Sequence, residues 1–163
     1  MSRALIAGSF DPVTLGHIDL VERALALFDE VHVVIFINPN KRYTFSCEER
    51  LELLHLACEG YERVRVDSFE GLVTEYMARH DIDVSVRCVR NASDYSYEHE
   101  MALANDTIRE GTETVLLTSR GDKGHISSAM VRELIAHGGD YSRFVPDAVA
   151  EQIRKMLDES ADI

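Results

Sequence analysis

Nowhere does the chain carry the roughly 18 consecutive apolar residues that cross a bilayer, and its N-terminus lacks the long apolar core of a signal peptide. A membrane-spanning protein is not expected, and a cytoplasmic one is. Cysteine is scarce: Cys47, Cys58 and Cys88 are odd in number and have no metal-type spacing. Reduced thiols are the expected state, and a disulfide framework is not expected. The seven histidines form no HExxH run and no Cys/His cluster, so no protein-built zinc site is expected. Positive charge is short as well, with 17 Lys and Arg against 29 Asp and Glu and a formal net charge of −12. That disfavours a general binder of nucleic acid or anionic membrane, which must neutralise many phosphates. A small polyphosphate ligand stays open, because a few converging cations make a pocket positive inside an acidic protein. Internal repeats, low-complexity tracts and Pro- or Ser-rich linkers are also missing. The 163 residues therefore read as a single domain over 1–163, long enough to bury a proper core.

What the chain does contain is alternation. Short β-branched runs at 4–8, 31–37, 64–69, 84–89 and 114–118 predict strands. Residues 18–28 and 45–57 carry apolar positions at helical spacing, the second with a Ser46-x-x-Glu49 capping box. Further helices are predicted over 71–80, 94–109, 127–139 and 146–160, with Gly138 and Gly139 ending one and Pro146 opening the last. Strand–helix alternation of this kind predicts an α/β fold: a Rossmann-like, doubly wound, parallel five-stranded sheet with helices on both faces and C-terminal helices. Ligands of such sheets bind at the carboxyl ends of the strands. Five polar clusters follow the five apolar runs, GSFDPVTLGH, NPNKR, EGLVTEY, RCVRN and SRGDKGHISS, and the topology brings them to one rim.

Each cluster has a chemical and a plain reading. In GSFDPVTLGH, Gly8 permits close backbone approach and Pro12 fixes the loop. His17 stands where free N–H groups and the positive end of a helix favour an anion; the alternative is a first-turn residue beneath a Thr14 cap. Lys41 and Arg42 in NPNKR are by themselves a solvated basic turn. Arg87 and Arg90 suit bidentate phosphate recognition at a strand end, or are two surface arginines. Ser127 and Ser128 are N-cap candidates that also offer an anion site. Leu72 and Val73 read as core at a helix start, Tyr95 and Tyr97 as packing residues, and His125 as a loop residue.

Taken together, these stretches resemble a known family. Thr14-Leu15-Gly16-His17 is similar to the (H/T)xGH signature of the nucleotidylyltransferase superfamily. GSFDPVTLGH, NPNK with FSCEER, RCVRNASDYSYE and ISSAMVRE resemble, in order and spacing, the motifs of the bacterial-type phosphopantetheine adenylyltransferase family. That family writes three of them GSFDPxTxGH, RGxRxxxDFxYE and ISSSxVRE. Cys88 stands where it usually has Gly, Ala129 where it has Ser or Thr, and Ile6-Ala7 where many members have Tyr-Pro. If the Gly is needed for close approach, Cys88 alters the nucleotide contact and exposes the site to thiol reagents.

The resemblance implies transfer of the adenylyl group of ATP to 4′-phosphopantetheine, giving dephospho-coenzyme A and pyrophosphate. His17, Lys41 and Arg90 are the implied catalytic residues. The implied ATP contacts are Ser9, Phe10, His17, Cys88, Val89, Arg90 and Glu98, with the run Lys123, Gly124, His125, Ile126, Ser127, Ser128 and Ala129. Those to phosphopantetheine are Ser9, Lys41, Leu72, Val73 and Arg87. Mg²⁺ is implied with ATP, held largely by the polyphosphate since no carboxylate cage is visible. A homo-hexamer and coenzyme A as a feedback ligand are also implied; neither nucleic acid nor membrane is an expected partner. Two other readings stay open here: a sister nucleotidylyltransferase using CTP or another phosphorylated acceptor, and a catalytically impaired regulator that binds ATP or coenzyme A.

Overall fold

The run Ala4–Ile6 leaves almost no surface exposed, and strands read as near-continuous apolar runs where both faces of a parallel sheet are covered. In the computed structural model, which describes residues 1–161, this run is the centre of the sheet. The elements follow in chain order: β1 (Arg3–Gly8), α1 (Leu15–Leu25), β2 (Glu30–Phe36), α2 (Cys47–Ala57), β3 (Val64–Phe69), α3 (Val73–Arg79), β4 (Val84–Val89), α4 (Ala92–Ile108), β5 (Glu113–Thr118), α5 (Ser128–Ala136) and α6 (Asp147–Ala161). The five strands lie in the order β3-β2-β1-β4-β5, all pairs parallel. This is the expected α/β arrangement.

Alternation along β1 sorts the two faces. Ala4 and Ile6 join a core with Val21 and Ala24 of α1, Leu53 and Leu54 of α2, Val131 of α5 and Ile153 of α6. Leu5 and Ala7 face the other way, onto Tyr76 and Met77 of α3. Successive strand side chains point to opposite faces, so a single buried strand serves both layers.

The chain winds outward from β1 to β3, then returns to the far side of β1 to lay down β4. That reversal is the switch point at which doubly wound sheets open a crevice. The pairing registers show the opening. β1 matches β2 at six positions and β4 matches β5 at six. β1 matches β4 at two, Ala4 with Val84 and Leu5 with Ser85, and among the described residues the ladder stops there. Beyond it the carboxyl ends of β1 and β4 part.

Several boundaries differ from the sequence reading, and caps explain them. The first helix starts at Leu15 rather than residue 18, because Thr14 is already its N-cap. The fourth starts at Ala92 rather than 94, because Asn91 Oδ1 accepts the Asp94 N–H at 2.9 Å. The capping box of α2 is present: Ser46 Oγ accepts from Glu49 N at 3.2 Å and Glu49 Oε2 from Ser46 N at 2.6 Å. Gly138, at φ +65°, ends α5, and the Gly139 N–H reaches back to the Leu134 carbonyl at 2.7 Å.

Candidate active site

The loop leaving β1 is gripped by its carbonyls. Arg50 Nη1 donates to Ser9 O at 2.9 Å, Arg132 Nη1 to Asp11 O at 2.7 Å and Ser128 Oγ to Pro12 O at 2.8 Å. The buried Asp11 carboxylate accepts the Thr44 and Phe45 N–H groups at 2.9 and 3.0 Å, which ties this loop to the segment before α2. Phe10 holds a φ of +46°, a conformation L-residues seldom adopt. The clasped carbonyls on either side of it keep it there. A Cβ at residue 8 would come to 3.1 Å from the Phe10 ring, a tight contact that Gly8 avoids.

His17 lies at the end of this loop, half-buried, in the first turn of α1. Its Nδ1 accepts the Thr14 N–H at 2.9 Å, with the Thr14 hydroxyl at 3.1 Å. The neutral ring therefore carries its proton on Nε2, the nitrogen left free to donate. Burial, with Arg87 and Arg90 nearby, pushes the His17 pKa down to about 4. At neutral pH it is an uncharged N–H donor.

Across the opening, Arg87 of β4 donates Nε and Nη2 to the two oxygens of Glu98, each at 2.8 Å. Its Nη1 donates to the Ala7 carbonyl. That carbonyl lies beyond the point where β1 and β4 cease to pair, so the guanidinium replaces a strand partner. Arg90 turns its Nε to Asp94 at 3.0 Å, an exposed pair at the start of α4 that holds the Asp94 carboxyl below its usual range against a burial penalty that acts the other way.

Two cavities meet at this wall, sharing Ala7, Gly8, Arg87 and Glu98. The first, about 720 Å³, holds Ser9, Lys41, Leu72, Val73 and Arg87, every residue expected to face the phosphorylated acceptor. The second, about 430 Å³, holds Phe10, His17, Cys88, Arg90, Glu98 and Lys123, and the turn Ile126, Ser127, Ser128 and Ala129. Of the residues expected at the nucleotide, Ser9 lies instead in the first cavity. Val89, Gly124 and His125 are in neither lining among the described residues. His125 sets its ring edge-on to Phe144 at 6.2 Å. Thus His17 and Arg90 share one cavity, Lys41 occupies the other, and a common wall joins them.

Other expectations are corrected. Tyr95 and Tyr97, read as packing residues, are 52% and 59% exposed, because within α4 Glu98 is the buried residue. Tyr97 lines the first cavity and Tyr95 stacks on His99. Leu72, read as core, is 53% exposed at the cavity's mouth. Ser127 is the N-cap of α5, its Oγ accepting the Met130 N–H at 3.1 Å, whereas the Ser128 hydroxyl holds the β1 loop. Burial raises the Cys88 thiol pKa, although Arg23 and Arg90 oppose this, so the thiolate is scarcer than in an ordinary exposed cysteine.

The sequence reading also passed over residues. Asp11, Arg50 and Arg132 stand inside the quoted motifs without a role of their own, because each acts on backbone groups distant in sequence. Met101, Asn105 and Ile108 line the first cavity from α4, a face whose helical spacing was the available signal.

The chain was compared with known proteins. The cytidylyltransferase-like family model matches residues 5–134. A Thermotoga neapolitana protein named phosphopantetheine adenylyltransferase is 44% identical over 156 residues, covering 96% of this chain and 97% of its own. Proteins of the same name from Caldanaerobacter subterraneus and Heliobacterium modesticaldum are 41% and 42% identical, over 98% and 99% of this chain and 100% and 95% of theirs.

Proposed function

The chain belongs to the phosphopantetheine adenylyltransferase family, and from that membership we propose that it transfers the adenylyl group of ATP to 4′-phosphopantetheine, releasing pyrophosphate. The observation that carries this reading to the site is the pair of joined cavities. One holds most of the residues expected at the nucleotide and the other those expected at the acceptor, with Arg87 and Gly8 on the wall between.

In this reading an oxygen of the acceptor phosphate attacks the α-phosphorus of ATP, and the bond to the pyrophosphate oxygen breaks. The attacking oxygen is already anionic, so no protein nucleophile is required. The work falls to positioning and charge stabilisation. His17 donates Nε2–H to the α-phosphate, and its low pKa keeps Nδ1 free to hold the Thr14 cap. Lys41, Arg87 and Arg90 neutralise phosphate oxygens, and Ser9 orients the acceptor. Lys123 and the turn from Ile126 to Ala129 face the leaving phosphates at the start of α5. Cys88 borders the nucleotide side, where a small side chain leaves room.

Mg²⁺ is expected with ATP, but the chain's carboxylates do not fit a resident ion. Among the described residues no group of three or more His, Cys, Asp or Glu is placed to hold a metal. The carboxylates of the second cavity, Asp19, Asp94 and Glu98, are each paired with arginine. The ion is read as travelling on the phosphates, and no step is assigned to it. A homo-hexamer is in keeping with the exposed Tyr95, Tyr97, Leu103 and Ile108 of α4. Coenzyme A carries the acceptor's own arm, which supports it as a feedback ligand of the first cavity. Among the described residues no helix is long and apolar enough to cross a membrane, in keeping with a cytoplasmic enzyme.

The test is pyrophosphate release by the purified protein with phosphopantetheine, ATP and Mg²⁺, run beside CTP. Release with ATP and formation of dephospho-coenzyme A are expected. Release with CTP alone, or ATP binding without release, would replace this reading with one of its rivals.

A further inference from the structure

Behind the first cavity, on the α3 face of the sheet, lies a chain of polar groups that the reaction does not use. His32 of β2 is 4% exposed and Tyr76 of α3 is 1% exposed. His32 Nε2 is 2.9 Å from Glu30 Oε1, and its Nδ1 is 3.1 Å from the Tyr76 hydroxyl. That hydroxyl is in turn 3.2 Å from Asp67 Oδ2 on β3. Three short contacts thus connect two carboxylates through an imidazole and a phenol.

Counting protons shows what is unusual here. Each of the three contacts needs one proton to be a hydrogen bond, and ionised carboxylates supply none. A neutral His32 and Tyr76 supply two between them. Nε2–H is drawn to the Glu30 carboxylate, as the charge-assisted bond is the stronger. The Tyr76 hydroxyl then has one hydrogen and two acceptors, His32 Nδ1 and Asp67. The chain is one proton short.

Tyr76 is also joined to the cavity. Its N–H donates to the Leu72 carbonyl at 3.3 Å, across the first turn of the seven-residue α3. Its ring lies edge-on to Phe36, 6.0 Å between centroids, and Phe36, Leu72 and Val73 all line the first cavity.

The geometry points to Tyr76 as a positioning residue for the acceptor cavity: a proton from solvent bound at His32 Nδ1 completes the chain to Asp67, and the completed chain fixes α3, with Leu72 and Val73, more firmly. On uptake, Nδ1–H donates to the Tyr76 oxygen and the Tyr76 O–H passes wholly to Asp67. No covalent bond other than the new N–H forms or breaks. The groups facing His32 are Glu30 on its own strand, Arg65 and Asp67 on β3, Tyr76 and His80 on α3, and Arg3 on β1 through Glu30. Burial lowers the His32 pKa while Glu30 opposes it, so the third proton is absent at neutral pH and arrives on acidification. The inference rests on the first cavity being the acceptor's.

Three proteins test it: wild type, Tyr76→Phe and Asp67→Asn, each first shown to be folded. Tyr76→Phe keeps the ring and deletes the hydroxyl. Its KM for phosphopantetheine rises roughly three- to tenfold, about the worth of one hydrogen bond, while its KM for ATP holds. The ratio to wild type grows as the pH is lowered below the ordinary histidine range, where His32 charges. Asp67→Asn supplies the missing proton through its amide, so its acceptor KM lies below wild type near pH 8 and converges with it once acidification charges His32. Ratios flat with pH, or equal rises in both KM values, would overturn the proposal.

A second readout needs no turnover and so separates this inference from the functional reading. In NMR titrations of the wild type, the amide signals of Leu72 and Val73 follow the His32 ring nitrogens, and in Tyr76→Phe they do not. Leu72 and Val73 signals that ignore His32 in the wild type would refute the coupling, whether or not the protein proves to be an adenylyltransferase.

Discussion

Arg87 and Glu98 meet in a two-point ion pair, Nε and Nη2 each 2.8 Å from a carboxylate oxygen, on the wall common to both cavities. A guanidinium has five N–H groups. This one gives two to Glu98 and one to the Ala7 carbonyl, leaving two for a phosphate. The pair therefore fixes the arginine's plane and still leaves part of its fork free.

Replacing Arg87 tests both duties. Arg87→Ala strands a largely buried carboxylate and unclasps Ala7. We expect a loss of about 2–3 kcal/mol, below the roughly 3–5 kcal/mol for breaking a fully buried pair because Arg87 itself is partly exposed. Chemical denaturation measures this. Arg87→Lys keeps a charge for Glu98 but loses the fork and the Ala7 clasp, so it regains part of the lost stability and not all of it.

His17 bears on rate. His17→Ala is expected to keep the fold and ATP binding by calorimetry while kcat falls about 10²–10³-fold, as when one preorganised donor is removed. Wild-type turnover would remove His17 from the mechanism.

The same residue bears on pH and stability. Its folded pKa of about 4 lies below the ordinary histidine value of 6.5, so between these the unfolded state binds more protons. Stability from this source is complete above the upper value and is lost as pH falls towards the lower. His17→Gln keeps an acceptor for the Thr14 cap and does not titrate. The fall in Tm from pH 7 to pH 5 should be smaller in that variant than in the wild type.

Lys41 should behave in the opposite sense to Arg87. It is exposed, so Lys41→Ala should leave stability within about 0.5 kcal/mol. Activity should fall at least tenfold, since a cation aimed at phosphate is lost. Equal activity in wild type and variant would confine Lys41 to solubility.

Cys88 offers a chemical test of access. Its raised pKa predicts slow alkylation at neutral pH and a rate that climbs as pH rises. Because it lines the second cavity, ATP should slow the labelling further. Fast labelling indifferent to ATP would place the thiol outside the nucleotide's reach.

Much of this architecture was legible in the residues. β-branched runs alternating with helical stretches led to the parallel sheet, and turn-rich clusters at the strand ends led to the rim. Periodicity served less well where a cap decided the boundary, as Thr14 and Asn91 do for α1 and α4. It failed for Tyr95 and Tyr97, because an aromatic at helical spacing announces a contact without saying whether this chain supplies the other side. Arg50, Arg132 and Asp11 were invisible for another reason. Their partners are backbone groups that only the folded loop brings near. His32, set between Val31 and Val33 in the strand EVHVVIF, gave no warning that Asp67 and Tyr76 waited 35 and 44 positions further on.

The seam between β1 and β4 has a broader meaning. Two matched positions hold the halves of the sheet together by main chain. Past that point, cohesion passes to an arginine and whatever occupies the gap. Under the proposed function, a substrate lying there would act as a missing rung, stitching the two half-sheets while it is consumed. Amide exchange along the facing edges of β1 and β4 should accordingly slow on ligand binding more than exchange at the outer strands.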